Sequence, residues 1–185
     1  MDNLKERLDY LKAEIQKSEF LEGKGLSNEV NIRIFCYEPE QEMVVRHFIE
    51  QIVVDQSIDC HLIECNLYKT FLDICDDKKI TNRAPSMEEK KGKEHLLQQI
   101  KRFANNKSFV SKMQYEPHNP GDVLMLTGVG EVFPFMRIHS LLEALQPEFP
   151  DVPILVFYPG KYDGRFVRLF DKLEPNPYYR AFSIV

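Results

Sequence analysis

The chain has 185 residues, a net charge of −5, 43% hydrophobic residues and 29% charged residues. This composition is ordinary for a globular protein and excludes wholesale disorder, a collagen-like repeat and a coiled-coil rod. The acidic balance argues against a dedicated duplex-binding domain, and no apolar run approaches the roughly 20 residues that span a bilayer. Because the N-terminus is acidic and amphipathic, without an apolar signal core, we expect a cytoplasmic protein with no membrane association, formed by one domain over 1–185.

The first third of the chain alternates predicted helices and strands. Leucines at helical spacing predict an amphipathic helix over 2–17, and residues 31–36 are rich enough in apolar residues to form a strand. A helix over roughly 40–55 and a strand over 58–64 follow. Asn66 is placed to cap the next helix, which carries apolar residues at helical spacing.

The middle of the chain is locally basic. Residues 86–120 carry seven basic and four acidic side chains, a local charge of +3. Ser86 and Glu89 have the spacing of a capping box, which predicts one long basic helix over 86–114. Such a charged face is most often only solvated, but it also suits an acidic partner or a nucleic-acid backbone.

Two strongly apolar segments follow in the motif-rich part, 121–185. Residues 122–127 form the clearest predicted strand, because an uninterrupted apolar run is typical of a central strand buried on both faces. The turn after it is expected to lead into a helix with Pro134 in its first turn. A second buried strand over 153–158 is predicted to end at the Pro-Gly pair 159–160.

The end of the chain is less regular. Residues 166–173 fit a helix, although a strand over 165–170 is the alternative, and 178–185 alternate as expected of an edge strand. Strands separated by helix-length crossovers predict an α/β fold. We expect a single three-layer domain with a mostly parallel sheet of about five strands and helices on both faces.

Ligands in such folds bind beyond the carboxyl ends of the strands. The turn after the first strand has no glycine or lysine and carries Glu38 and Glu40, which argues strongly against a phosphate-binding P-loop. Gly128 and Gly130 follow the best strand and could form an anion-binding nest. A tight turn that needs glycine backbone angles is the more common reason for such a pair.

The sequence contains no pattern that specifies a reaction. It has no Gly-x-Ser-x-Gly elbow, and a lone histidine such as His139 is weak evidence for catalysis. The four cysteines lack the spacing of a zinc site and are predicted to act mainly as small core residues. We therefore expect no enzymatic activity, no cofactor and no metal.

Several stretches near the C-terminus carry a family resemblance. They are Thr127-Gly-Val-Gly-Glu-Val-Phe-Pro-Phe135 with Arg137 and His139, Val156-Phe-Tyr-Pro-Gly-Lys-Tyr-Asp-Gly164, Leu169-Phe-x-Lys-Leu173 and Tyr178-Tyr-Arg-Ala-Phe182. In these segments the chain resembles the BrxB family, small proteins encoded in bacteriophage-exclusion (BREX) operons. The resemblance spans the chain by length and order and is most specific over 121–185.

This resemblance implies a cytoplasmic bacterial component of antiphage defence that acts inside a complex and has no established enzymatic activity. It implies a PglZ-type phosphatase-fold protein as the leading partner, with a BrxC-type ATPase and a PglX-type DNA methyltransferase in the same systems. The alternative is a nucleotide- or nucleic-acid-binding α/β protein with a degenerate P-loop-like or Rossmann-like site. Direct DNA binding stays open at this point.

The candidate interaction surface combines the predicted strand ends with the tyrosines and arginine near the C-terminus. It contains Gly128, Gly130, Glu131, Arg137, His139, Gly160, Tyr162, Asp163, Gly164, Tyr178, Tyr179 and Arg180. Tyrosine and arginine are enriched among the residues that anchor protein interfaces. The surface is therefore predicted to contact a protein partner.

Overall fold

A computed structural model describes residues 3–23, 31–177 and 181–184, and a mostly parallel β-sheet lies at its centre. The strands are β1 (Ile32–Tyr37), β2 (His61–Asn66), β3 (Asp122–Thr127), β4 (Ile154–Tyr162), β5 (Phe166–Leu169), β6 (Asn176–Pro177) and β7 (Phe182–Ser183). The main path across the sheet is β2-β3-β4-β1-β7, and every pair along it is parallel. Beyond this path, β5 pairs antiparallel with β4 and with β6. The predicted α/β fold is confirmed.

The helices connect these strands. They are α1 (Leu4–Glu14), α2 (Ser18–Leu21), α3 (Glu42–Val53), α4 (Leu67–Asp77), α5 (Ala84–Lys91), α6 (Lys93–Phe103), α7 (Asn106–Met113), α8 (Val129–Val132) and α9 (Ile138–Leu145), with a 3-10 turn at Pro39–Gln41 before α3. The first three helices contribute to one apolar cluster, and α4, α6, α7, α8 and α9 contribute to the other. In contrast, α5 buries none of its side chains.

Side-chain alternation along the strands separates the two clusters. In β3, Val123 and Met125 belong to the cluster with α1, α2 and α3, whereas Leu124 and Leu126 belong to the opposite one. All six residues of β3 are buried, as predicted for a central strand covered on both faces. The sheet is therefore the middle of three layers, and its parallel strands all end at one edge.

The predicted long basic helix over 86–114 is wrong. Three helices occupy this segment, because Gly92 has a φ of +82° and Ala104 also leaves the helical conformation. The proposed capping box is wrong too, since α5 begins two residues before Ser86. The Ser86 hydroxyl instead donates a hydrogen bond to the carbonyl of Arg83.

Smaller differences occur near the N-terminus. The predicted helix over 2–17 is present as α1, which is shorter and ends at Glu14, and a separate short helix, α2, begins at Ser18. The second strand begins at His61 rather than at residue 58. The turn before this strand is held by Asp55. Its carboxylate accepts hydrogen bonds from both the backbone N–H and the hydroxyl of Ser57.

The segments around the prolines also differ from the predictions. Pro134 does not open a helix, because it lies in the turn between α8 and α9, after an extended Phe133. Pro159 and Gly160 do not end β4, which continues to Tyr162 and pairs with β5. The strand alternative for 165–170 is thereby confirmed, and the helix over 166–173 is wrong.

The four cysteines are buried or half-buried, in line with their predicted role in the core. Burial raises the pKa of Cys36 to about 12 and the pKa values of Cys60 and Cys65 to about 11. The pKa of Cys75 is raised by burial as well. Because the thiolate is the reactive form, these shifts disfavour nucleophilic chemistry at all four positions.

Asn66 ends β2 and caps α4, as predicted. Its side-chain oxygen accepts hydrogen bonds from the backbone N–H groups of Tyr68 and Lys69, at 3.1 and 3.0 Å. We expect Asn66→Ala to lower the free energy of unfolding by about 1 kcal/mol, measured by urea denaturation. Asn66→Ser retains a capping oxygen and should retain most of this free energy, so an equal loss in both variants would refute capping as the cause.

Candidate functional site

A polar cavity lies at the carboxyl edge of the sheet, on the side covered by α3. Tyr37, Asn66 and Thr127 end β1, β2 and β3 at this edge, and all three line the cavity, which has a volume of about 210 Å³. Its charged side chains are Glu42, Arg46, Glu50, Glu64, Lys69 and Glu131. We call the cavity with these six charged residues the acidic crevice, because four carboxylates face only two basic groups.

An ion-pair network holds one wall of the acidic crevice. Arg46 lies 3.1 Å from a carboxylate oxygen of Glu42 and 3.1 Å from one of Glu131, which joins α3 to α8. The Tyr37 hydroxyl donates a hydrogen bond to the other oxygen of Glu42, at 2.7 Å. Burial, assisted by Glu42, raises the pKa of Tyr37 well above its usual range, so this hydroxyl stays protonated.

The floor of the acidic crevice is formed by the sheet. Thr127 is buried, and its hydroxyl donates a hydrogen bond to Oε1 of Glu64 at 2.7 Å. These two side chains come from adjacent parallel strands. Phe157 of β4, which is 1% exposed, closes the cavity from below. The carboxylate of Glu64 is therefore presented from a rigid element rather than from a loop.

The glycine pair after β3 is explained by packing. Gly128 has a φ of +67°, and a Cβ at this position would lie 2.7 Å from the side-chain oxygen of Asn66. A Cβ on Gly130 would lie 2.8 Å from the ring of Phe170. A side chain at either glycine would therefore collide with another side chain of the chain, which is sufficient reason for glycine at both positions. The tight-turn interpretation is the one that these contacts favour.

Arg137 and His139 lie on the other side of the carboxyl edge, away from the acidic crevice. They line a separate, small cavity of about 20 Å³ with Tyr158 and Asn176. The Arg137 guanidinium donates a hydrogen bond to the side-chain oxygen of Asn176 at 3.2 Å. Burial and the neighbouring Arg137 lower the pKa of His139.

The remaining predicted residues of the hairpin β4–β5 have structural contacts. The Tyr162 hydroxyl donates a hydrogen bond to the carbonyl of Ala181 at 2.6 Å, which ties the hairpin to the start of β7. Asp163 accepts hydrogen bonds from the backbone N–H groups of Arg165 and Phe166, and these bonds lower its pKa. Gly160 allows close approach of β5, and Gly164 forms the turn. The predicted residues Tyr178, Tyr179 and Arg180 lie outside the described residues.

Comparison with known proteins then identifies the family. A family model described as BREX protein BrxB matches residues 63–184. The chain belongs to the BrxB family. Among relatives named BREX protein BrxB, one from Bacillus cereus (strain H3081.97) is 36% identical over 192 aligned positions, covering 100% of this chain and 99% of the relative. Another, from Escherichia coli O9:H4 (strain HS), is 30% identical over 184 positions, covering 98% and 92%.

Membership of the BrxB family makes the chain a component of a bacterial BREX system and thus of antiphage defence. It also implies partner proteins encoded in the same operon. No solved structure matches the chain. Within the described residues, none of the helices combines the length and apolar character needed to cross a membrane.

Sequence reasoning found only part of the BrxB-family carboxyl edge. Gly128 and Glu131 were predicted and do line the acidic crevice, but Arg46 and Glu64 were not among the predicted site residues. Glu42 was not a predicted site residue either. The available signal was the spacing of Glu42 and Arg46, because residues four apart on a helix can form an ion pair.

The lowered pKa of His139 predicts a pH dependence of stability. The unfolded histidine titrates near 6.5, and the folded one below that value, so the folded state binds fewer protons in this window. Stability is therefore lost as the pH falls below about 6.5. We expect the Tm of His139→Gln to fall less between pH 7.5 and pH 5.0 than that of the unsubstituted protein.

The exposed His47 provides a matched control for this measurement. His47→Gln makes the same chemical change at a side chain that is 69% exposed. If His139→Gln and His47→Gln have the same Tm difference between the two pH values, the burial of His139 does not cause the acid sensitivity.

Proposed function

We propose that this chain is a non-catalytic interaction subunit of a BREX complex and that a PglZ-type phosphatase-fold protein is its direct partner. The complex would form in the cytoplasm, with a BrxC-type ATPase and a PglX-type methyltransferase as further members. The observation that carries the proposal is the pairing of polar groups at the carboxyl edge. Arg46 is held between Glu42 and Glu131, and Thr127 is bonded to Glu64.

Polar side chains that are paired by hydrogen bonds and ion pairs form a charged surface of fixed shape. Such a surface suits contact with another protein, because pre-organised groups lose little conformational freedom on binding. A catalytic base or nucleophile would instead have to lie within hydrogen-bond reach of a reacting atom. The arrangement around Arg46 therefore supports recognition better than chemistry.

The nucleotide-binding alternative has less support. The carboxylates of the acidic crevice would repel phosphate groups, and Asn66 occupies the space beside Gly128. The basic side chains of α5, α6 and α7 are exposed, which keeps contact with a nucleic-acid backbone as the second candidate function. One of them, Lys112, is paired with Asp77 at 2.8 Å.

Co-purification tests the proposed partner. The tagged chain is co-expressed with the PglZ-type protein of its own operon, and the eluate is passed over a size-exclusion column at low and at physiological salt. We expect the two proteins to elute together as one species. An unrelated protein with the same tag serves as the control. Separate elution at both salt concentrations would contradict direct pairing.

Thermal shift and gel retardation test the alternative with the same preparation. A nucleotide present at about 100 times its Kd would stabilise the protein by about 2.7 kcal/mol, which is readily visible. We expect no shift with nucleotides and no retardation of DNA at low salt. A clear shift with one nucleotide, or retardation that disappears with added salt, would favour the alternative instead.

A further inference from the structure

The size and position of the acidic crevice limit what it can hold. Its volume of about 210 Å³ lies below the range of about 300–1,000 Å³ that is typical of small-molecule sites. It lies at the carboxyl ends of parallel strands, where α/β folds bind ligands. A space of this size suits one long side chain better than a nucleotide or a cofactor.

The charge of the acidic crevice selects the kind of side chain. Arg46 neutralises part of the charge of Glu42 and Glu131, which leaves Glu50 and Glu64 opposite the single cation of Lys69. With four carboxylates and two basic groups the crevice carries a formal charge of −2. The complementary occupant is therefore a cation, since interfaces match potentials of opposite sign.

Glu64 is the best-placed acceptor for such a cation. Oε1 of Glu64 accepts the hydrogen bond from Thr127. Among the residues that the structure describes, Oε2 of Glu64 has no hydrogen-bond or ion-pair partner. Glu50 is 69% exposed, and within the described part of the chain it makes an ion-pair contact with His47 alone, at 4.0 Å. Carboxylates with open oxygen atoms can accept the parallel N–H groups of a guanidinium.

An exposed methionine shares a face of α3 with charged residues of the acidic crevice. Met43 is 70% exposed and precedes Arg46 and Glu50 on α3 by three and seven residues, so the three side chains share one face of the helix. Exposed methionine adapts its shape to a partner surface. The occupant is thus expected to combine a cation with an adjacent apolar residue.

We propose that the acidic crevice is the docking site for an arginine of the protein partner, with Met43 contacting an apolar residue that flanks this arginine. The inference rests on the proposed function, because it specifies the chemistry by which the partner is recognised. The guanidinium enters between α3 and the ends of β2 and β3 and is bound by Glu64 and Glu50. Arginine fits better than lysine because its planar group can bond to two carboxylate oxygens at once.

Charge reversal tests the location of the docking site. The Kd for the purified PglZ-type protein is measured by calorimetry at 0.15 M salt for the unsubstituted chain and for Glu50→Lys/Glu64→Lys. We expect the double variant to bind at least 100-fold more weakly. We also expect the Kd of the unsubstituted chain to rise with salt, because the contact pairs opposite charges.

The matched control reverses two exposed glutamates elsewhere. Glu88→Lys/Glu89→Lys makes the same charge change on α5, which buries no side chain. Its Kd should stay within about threefold of the original value. If the double reversal in the crevice unfolds the chain, Glu50→Gln/Glu64→Gln removes the charges while keeping the shapes and should weaken binding at least tenfold.

The outcomes separate the inference from the proposed function. Binding by the unsubstituted chain and unchanged binding by both crevice variants would overturn the docking site and leave the partner in place. If the crevice variants and the α5 control weaken binding equally, the docking site is overturned too. The net charge of the chain, and not the crevice, would then determine the affinity. No binding by the unsubstituted chain would overturn both proposals.

Discussion

Replacing Phe35 by alanine should lower the free energy of unfolding by about 3–5 kcal/mol, the range for truncating a buried phenylalanine. Phe35 is fully buried in β1, and its ring centroid lies 5.7 Å from that of Phe157. The guanidinium of Arg7 lies 4.9 Å from the ring, so α1 also packs on it. The variant would leave a cavity between α1 and the sheet.

Denaturant titration and calorimetry measure this loss. For a chain of this length, about 2–4 °C of Tm corresponds to 1 kcal/mol, so the Tm should fall by about 6–20 °C. Phe166→Ala makes the same chemical change in β5 at a side chain that is 44% exposed, and it should change the free energy by no more than about 0.5 kcal/mol. Similar losses in both variants would show that Phe35 is not packed as described.

Replacing Gly160 by alanine should lower the free energy of unfolding by about 3 kcal/mol, at the upper end of typical overpacking costs. An added Cβ would lie 2.2 Å from the carbonyl oxygen of Arg168, in the paired strand β5. This oxygen belongs to the backbone and cannot rotate away. The strands β4 and β5 would have to separate, which would also strain the hydrogen bond from Tyr162 to Ala181.

Gly164 is the matched control, because it lies in the turn of the same hairpin. It has a φ of +89°, and no atom lies within 4 Å of the position its Cβ would take. Gly164→Ala should therefore have only the backbone cost of about 1–2 kcal/mol. If the two variants lose equal free energy in a urea titration, the close approach at Gly160 is not what makes glycine necessary there.

Local signals were sufficient for the centre of the fold. An unbroken apolar run can be satisfied only by burial on both faces, so the position of β3 between two other strands followed from residues 122–127. The Asn66 cap was equally readable, because the capping oxygen and its N–H donors are neighbours in sequence. These features depend on interactions over a few residues.

Long-range contacts account for the errors. Pro159 and Gly160 usually stop a strand, but here Phe170 donates its backbone N–H to the Pro159 carbonyl, and the missing side chain of Gly160 lets Arg168 approach. The acidic crevice was missed for the same reason. It joins Glu42, Glu64 and Glu131 from three elements, and no spacing in the sequence shows that these elements meet.

The strand order has a consequence for synthesis on the ribosome. β1 lies between β4 and β7, and Ile32 is in register with Ile154, about 120 residues later. At about 5–20 residues per second, β1 leaves the ribosome some 6–24 s before its first strand partner is made. During that interval its apolar residues have no sheet to join, and an unpaired strand is a template for aggregation. β1 is therefore most exposed to aggregation while the chain is still being made.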